Sequence, residues 1–487
     1  MGKAKLTPFL KQCMVTCAVG SSLVCHIGFV FGFPGVLLPA LHEDHTAIPL
    51  TKVGDSWVAS IVSISMLIGN FVTPNVMGRY GRKVAHISVG LPAVVSWFVI
   101  ALSVNVEMLI FARFLQGLSV GLMLPLRSVL VGEYSSPKYR GGFLTTISLA
   151  QGFGIFLVHL VGSLFSWQLT SIACGVAAFL STIIAFYLPE SPSWLAVKGR
   201  YEECTQAFRW LRGEGEEKEL EEMILSQTKM REEIVDKEKV NRSKTVENRS
   251  IVRRKEFYKP IVIIAHCYLM VQVSGNATMP AFSVEIISVM MGSSANVHVW
   301  MVALDTLRII TNFTAIFIIN RFKRRIIIFA TGGLCTAVHL AMAVYMYFKD
   351  TISYDTQWIP GCLVVMQFFC IGLGMTPMSN VISGEVIPLE FRSMISSIGV
   401  FTLAVFMFMV LKTFPLLLDS IGLYGIYAIY SAILTYILIL LWFILPETSG
   451  KTLQQIENEL KGFHHQLEDA EAKISLKQYG NGEEERS

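Results

Sequence analysis

The chain has 487 residues, of which 53% are apolar and only 16% charged, where a soluble domain carries about 25% charged residues; a water-soluble globule is excluded. Thirty-one Phe and 21 Met oppose the low-hydrophobicity signature of disorder. Forty Lys and Arg against 36 Asp and Glu leave a net charge of +4 with no basic stripe apart from loop positions, which excludes a nucleic-acid binder.

The first eleven residues, MGKAKLTPFLK, are basic. No small-residue cleavage site closes the apolar run behind them, so a retained first span is expected rather than a signal peptide. Gly2 starts no convincing acylation motif. Apolar segments follow at about 12–41, 55–77, 84–104, 107–132, 142–164 and 168–188, lengths that suit a bilayer crossing of about 20 residues. A charged interval over 189–257 comes next, and its middle reads as solvated helix with opposite charges three or four apart. Six more apolar segments fall at about 258–290, 296–319, 326–348, 360–387, 393–414 and 421–445. The reading is an all-α membrane protein with twelve transmembrane helices in two six-helix bundles, 1–188 and 258–446, joined by a cytoplasmic helical linker, 189–257, and ending in a cytoplasmic tail, 447–487. The nine cysteines lie in apolar segments or in the charged interval, so no disulfide framework is expected.

Orientation follows from Lys and Arg in short loops. One set of loops holds ten (Arg79, Arg82, Lys83, Lys138, Arg140, Arg321, Lys323, Arg324, Arg325 and Arg392) and the other holds three, Lys52, Lys349 and Lys412. Both termini and the central interval are therefore expected in the cytoplasm. The tripeptides at Asn241, Asn248, Asn276 and Asn312 then lie inside the cell or within spans, and no glycan is expected on them.

The two halves repeat each other. Gly78-Arg79-Tyr80-Gly81-Arg82-Lys83 follows the second span, and Asn320-Arg321-Phe322-Lys323-Arg324-Arg325 follows the eighth, with basic residues at matching offsets. Glu133 ends the fourth span and Glu385 the tenth, each seven residues before an Arg, Arg140 or Arg392. A basic tight loop by itself needs only membrane anchoring, whereas the repeated acid points to a cytoplasmic ion-pair network.

These features resemble the sugar porter family of the major facilitator superfamily over nearly the whole chain. The signatures are Arg79-Tyr80-Gly81-Arg82-Lys83, Arg113-Phe114-Leu115-Gln116-Gly117, Pro189-Glu190-Ser191-Pro192-Ser193-Trp194-Leu195, Gln272-Val273-Ser274-Gly275 and Pro446-Glu447-Thr448-Ser449-Gly450-Lys451. Among sugar porters the pattern looks most like the facilitated trehalose transporters of insects. The resemblance implies a central cavity and alternating access by rocking of the bundles about the midplane. It also implies that Arg82, Glu133, Arg140, Arg324, Arg325, Glu385 and Arg392 are gate residues that cross-link the bundles when the cavity faces outward. Gly78 and Asn320 replace acids usual at the start of the two basic loops, which removes two ion pairs of the family pattern.

A sugar cavity wants amides and hydroxyls among apolar residues. Gln272 and Asn276, four apart on one helix face, suit it, and Gln272 matches the family's second seventh-span glutamine. The alternative for both is an interhelical hydrogen bond that only joins spans. Ser148 and Gln151 of the fifth span and Asn380 of the tenth complete the candidate set, although Ser148, Ala277 and Asn380 stand where the family has glutamine, asparagine and tryptophan. Arg308 replaces an eighth-span asparagine. A charge within a span is paired or faces a polar cavity, so Arg308 either pairs with Asp305 three residues earlier, with Glu285 as a second candidate, or contacts substrate oxygens or an anion. Pro34 stands where proton-driven relatives carry an Asp, and His26 and His159 read as structural, so facilitated diffusion is expected. Gly117 and Gly121, four apart, read as close helix packing.

The leading expectation is a facilitative carrier of trehalose or a hexose in the plasma membrane. A carrier of another polar or anionic metabolite and a non-transporting nutrient receptor are the alternatives. No nucleophile and base pair, metal-ligand cluster or phosphate loop stands out, so neither enzymatic activity, nor a cofactor, nor a metal is expected.

Overall fold

The computed structural model describes residues 7–42, 48–213, 216–225, 228, 255–292, 296–349, 358–388, 392–449 and 456. Much of the charged interval and nearly all of the tail lie outside the described residues. The described residues are helical throughout, in two six-helix bundles. The first half runs Pro8–Leu41, Lys52–Tyr80, Arg82–Ala101, Val106–Tyr134, Pro137–Leu164 and Trp167–Tyr187. In the second half the seventh span is built of Lys255–Val273, Thr278–Ala281 and Ser283–Met291. Val297–Arg321, Arg324–Phe348 and Trp358–Glu385 follow as the eighth, ninth and tenth. Arg392–Ile444 holds both the eleventh and twelfth, because Gly422 at φ 67° and ψ 175° folds the chain back with almost no loop.

Local chemistry sets these limits. Thr51, Asn105 and Asn296 accept N–H groups of Gly54, Met108 and Val299 at 3.2, 2.9 and 3.2 Å, satisfying backbone donors that a helix start leaves free. Three spans are interrupted near mid-membrane. The first takes a wide turn over Val24–Gly28 before Pro34, the seventh unwinds over 274–277 with Gly275 at φ 99°, and the tenth takes a wide turn over Ile371–Met375 just before Pro377. Pro125, in contrast, sits inside an unbroken helix.

An interrupted helix frees backbone groups that lipid cannot satisfy. Gln367 of the tenth span answers one of them, donating from Nε2 to the Ser274 carbonyl at 2.8 Å. Within the first half, the second and fourth spans touch closely: a Cβ on Gly121 would lie 2.1 Å from the Met66 carbonyl oxygen. Phe33 packs edge-on against the buried Trp97 at 5.0 Å. Large apolar side chains such as Leu91, Phe186, Tyr187 and Phe443 are exposed, as a lipid-facing perimeter requires.

Of the charged interval, Pro192–Lys198 and Tyr201–Arg212 form short helices. They dock on the first bundle through Trp194 Nε1 to the Gly78 carbonyl at 3.2 Å and through buried Arg212 to the Ser135 carbonyl at 2.8 Å. The acidic stretch expected to form solvated helix lies largely outside the described residues.

Candidate functional site

The interrupted spans surround a cavity between the halves. Phe31, Pro34, Val62, Met66, Arg113, Arg127, Gln151 and Ile155 line it from the first half; Tyr268, Gln272, Asn276, Arg308, Thr376, Ser379 and Asn380 line it from the second. A recess continues from it past Ser148, Gly152, Asn312 and Gly372. Gln272, Asn276, Arg308, Asn380 and Gln151 therefore share one space, and Ser148 borders the recess alone.

The amides differ in how free they are. Gln272 is buried and its Oε1 has no hydrogen-bond partner, so its acceptor remains available to a donor in the cavity. Asn276 Oδ1 accepts from Thr376 Oγ1 at 3.3 Å, joining the seventh and tenth spans. Asn380 is exposed although it lies within a span. Tyr268 and the Arg308–Phe368 pair add aromatic surface beside the polar groups.

Arginine supplies the electrostatics. Arg113 is held within the first half, donating from Nε to the Val58 carbonyl at 3.1 Å and from Nη1 to the Val30 carbonyl at 2.9 Å and to Gln116 Oε1 at 2.6 Å. Arg308 is 5% exposed, stacks over Phe368 at 5.1 Å, and has no partner for Nε or Nη2. Asp305, one of the expected alternatives for Arg308, makes its hydrogen bond elsewhere. Asp305 Oδ2 meets His159 Nδ1 of the fifth span at 2.5 Å, and His159 Nε2 lies 2.9 Å from the Gly32 carbonyl. With His159 at 1% and Asp305 at 3% exposure, this buried pair bridges the two halves. The second candidate partner, Glu285, faces Lys52 at 3.3 Å. For Asp305 the reason is geometry between elements: the fifth and eighth spans pack side by side, and a carboxylate one turn from Arg308 can point across that seam.

The cavity is closed at one end. There Lys412 of the eleventh span donates to Ser56 Oγ at 2.8 Å and sits over the Trp57 ring at 3.8 Å. A Cβ on Gly35 would lie 2.5 Å from the Pro280 carbonyl oxygen and 2.9 Å from Ser283 Oγ. Near the opposite end, a Cβ on Gly132 or Gly384 would meet nothing within 4 Å. These hydrogen bonds and close approaches between the halves thus gather at the closed end, away from the basic loops.

On that side the predicted gate residues form two matching clips. Glu133 receives Arg82 through Nε at 2.9 Å and Nη2 at 2.8 Å, and Ser191 Oγ at 2.5 Å. Glu385 receives Arg324 Nη2 at 3.3 Å and Thr448 Oγ1 at 2.6 Å. Glu190 accepts the backbone N–H of Arg82 at 2.8 Å, and Glu447 that of Arg324 at 3.0 Å. Arg325 turns outward to the carbonyls of Leu445 and Trp442. Each clip closes within its own half in this conformation. Arg140 opens the fifth span and Arg392 the eleventh, and both side chains lie outside the described residues.

Sequence reasoning missed Arg127, Asn312 and Tyr268 as lining groups and treated His159 as isolated. Arg127 was open to the argument already applied to Arg308, a charge in the middle of an apolar run. The roles of Glu190 and Glu447 were visible only as parts of signatures.

A family model described as sugar (and other) transporter matches residues 13–460. The facilitated trehalose transporter Tret1 of Bombyx mori is 27% identical over 444 residues, covering 89% of this chain and 84% of that protein. Its counterpart from Drosophila willistoni is 26% identical, and the alignment covers 90% of this chain but only 49% of that protein. Among solved structures, the proton:xylose symporter XylE bound to 6-bromo-6-deoxy-D-glucose, a major facilitator superfamily protein, superposes with a TM-score of 0.71 at 17% identity, covering 92% of this chain and 99% of that one. The inward open conformation of the xylose transporter XylE from E. coli gives 0.70 at 18% identity over 92% of this chain.

Proposed function

Because this chain belongs to the sugar (and other) transporter family, we propose that it is a facilitative carrier that moves a sugar across the plasma membrane by alternating access, with both termini in the cytoplasm. The observation that carries the reading is a cavity between two bundles, lined by Gln151 from one half and Gln272, Asn276 and Asn380 from the other. Trehalose is the substrate named for the Bombyx and Drosophila relatives, and hexoses suit the same chemistry of amides beside flat apolar faces.

The units 1–188 and 258–446 act as the moving bodies, with 189–257 as linker and 447–487 as tail. The present state faces the cytoplasm, and its closed end is held by Lys412, Lys52 and the His159–Asp305 pair. In the opposite state the basic-loop ends approach, where Arg140 and Arg392 supply charges that reach the clip acids Glu133 and Glu385 across the seam. A solute bound equally well in both states moves down its gradient without a second ion, and Pro34 offers no titratable group. Purified protein in liposomes, tested with labelled trehalose, glucose, fructose and two acidic sugars, glucuronate and glucose 6-phosphate, is expected to equilibrate at least one of them without accumulation. Absence of flux for every solute, or accumulation against a gradient, overturns the reading.

A further inference from the structure

Arg308 is a buried cation whose obvious partners are engaged elsewhere. Its neighbour Asp305 is held by His159 of the other half at 2.5 Å, and Glu285 by Lys52 at 3.3 Å. Two of its nitrogens, Nε and Nη2, have no acceptor at all. From the other half Arg127 borders the same space, and among the described residues that line the cavity or its recess none is an Asp or a Glu.

An unpaired guanidinium among spans is costly and normally finds an anion or a carbonyl. Arg113, with its two carbonyls and an amide oxygen, shows that this chain does provide such acceptors where an arginine is structural. Arg308 has the face of Phe368 and the nearby charge of Asp305, but neither gives Nε or Nη2 a hydrogen-bond acceptor among the described residues. A neutral hydroxyl can accept one hydrogen bond from it but brings no charge. A carboxylate or phosphate accepts two and neutralises it.

We propose that the solute carried here is an acidic sugar, bearing a carboxylate or a phosphate, whose anionic group seats on Arg308. Arg127 adds a second positive charge from the opposite bundle, so the site holds the anion with both halves. The sugar hydroxyls meet Gln272, with its free acceptor, and Asn380. This deepens the carrier reading and rests on it, since it assigns the chemistry of the same cavity.

The test uses the full chain purified into liposomes. Uptake of labelled glucuronate and labelled glucose 6-phosphate is compared with labelled glucose and trehalose, and each acid is also used unlabelled as a competitor. A shift in melting temperature with either acid reads binding apart from flux. Expected are binding and uptake of at least one acid in preference to its neutral parent, the two acids distinguishing carboxylate from phosphate. In Arg308→Gln the ratio of acid to neutral affinity falls about tenfold or more, the usual worth of a hydrogen-bonded charge. Arg308→Lys, which keeps charge but loses the fork, falls between. Flux of neutral sugars with no binding of, or competition by, either acid overturns this inference and leaves the carrier reading standing. Binding of an acid without flux of any solute overturns the carrier reading and keeps the anion site. Neither binding nor flux overturns both.

Discussion

At the residue scale, His159 and Asp305 decide how firmly the outer end shuts. Both are buried, they belong to different bundles, and they meet at 2.5 Å; any state that separates the bundles on that side must break the contact. His159→Leu keeps the volume and removes the partner. A hydrogen bond to a charged group contributes about 1.5–3 kcal/mol, so the variant is expected to shift the equilibrium toward the outward-open state by roughly tenfold or more. Ser283, buried against Gly35 at that end, gives the readout as Ser283→Cys: a membrane-impermeant thiol reagent applied outside labels it faster when His159 is replaced. An unchanged labelling rate rules out the pair as an outer lock. Residues of this kind mark the limit of what a sequence discloses. Gln272 and Asn276 were legible as amides in an apolar run and both border the cavity, although they do not share the expected helix face, since the helix of Gln272 ends at Val273 and Asn276 lies in the unwound stretch. That Asp305 would turn to His159 rather than to Arg308 depends on which faces of two distant helices meet, and no spacing along one chain segment encodes that.

At the scale of elements, the twelve spans were legible because a run of about 20 apolar residues has few other uses, and the interruptions near Pro34, Pro280 and Pro377 were signalled by residues that cannot continue a helix. The clips were half legible. Repetition of Glu133 and Glu385 was plain, but the signature acids Glu190 and Glu447 take the helix-start role, accepting the first N–H groups of the third and ninth spans. A carboxylate there neutralises the positive end of the helix and satisfies its free donors. Glu190→Gln keeps the size and loses the charge, and is expected to cost about 0.5–2 kcal/mol, read as a lower melting temperature of the detergent-solubilised protein; an unaltered melting curve removes the capping role. Glu385 serves differently, holding Arg324 and Thr448 at the mouth of the cavity. Glu385→Gln is expected to reach the cell surface in normal amount and to transport at a reduced maximal rate, because the clip must be remade in each cycle. Normal flux at normal surface abundance would show that the clip does not take part in the cycle.

At the scale of the whole molecule, the cycle demands that contacts at one end form as those at the other end part, so the polar links at the closed end must be ones that can break. Lys412 to Ser56, Lys52 to Glu285 and His159 to Asp305 each cross the seam. One of the three, Lys52 to Glu285, lies where both side chains are partly exposed, at 43% and 33%, and an exposed ion pair contributes only about 0–1 kcal/mol. Such a closure is strong enough to exclude solute and weak enough to open on the timescale of collective domain motion, microseconds to milliseconds. A covalent link across the same seam should therefore stop transport without harming the fold. Lys52→Cys with Glu285→Cys places two thiols on opposite bundles where the native side chains now meet. A short bifunctional methanethiosulfonate joining them is expected to abolish uptake, and reduction of the link to restore it. Either single variant treated with the same reagent controls for simple blockage of the outer mouth and should retain most of its flux. Full uptake by the cross-linked double variant would mean that the bundles need not part at this end, and that solute passes by a route other than alternate exposure of the central cavity.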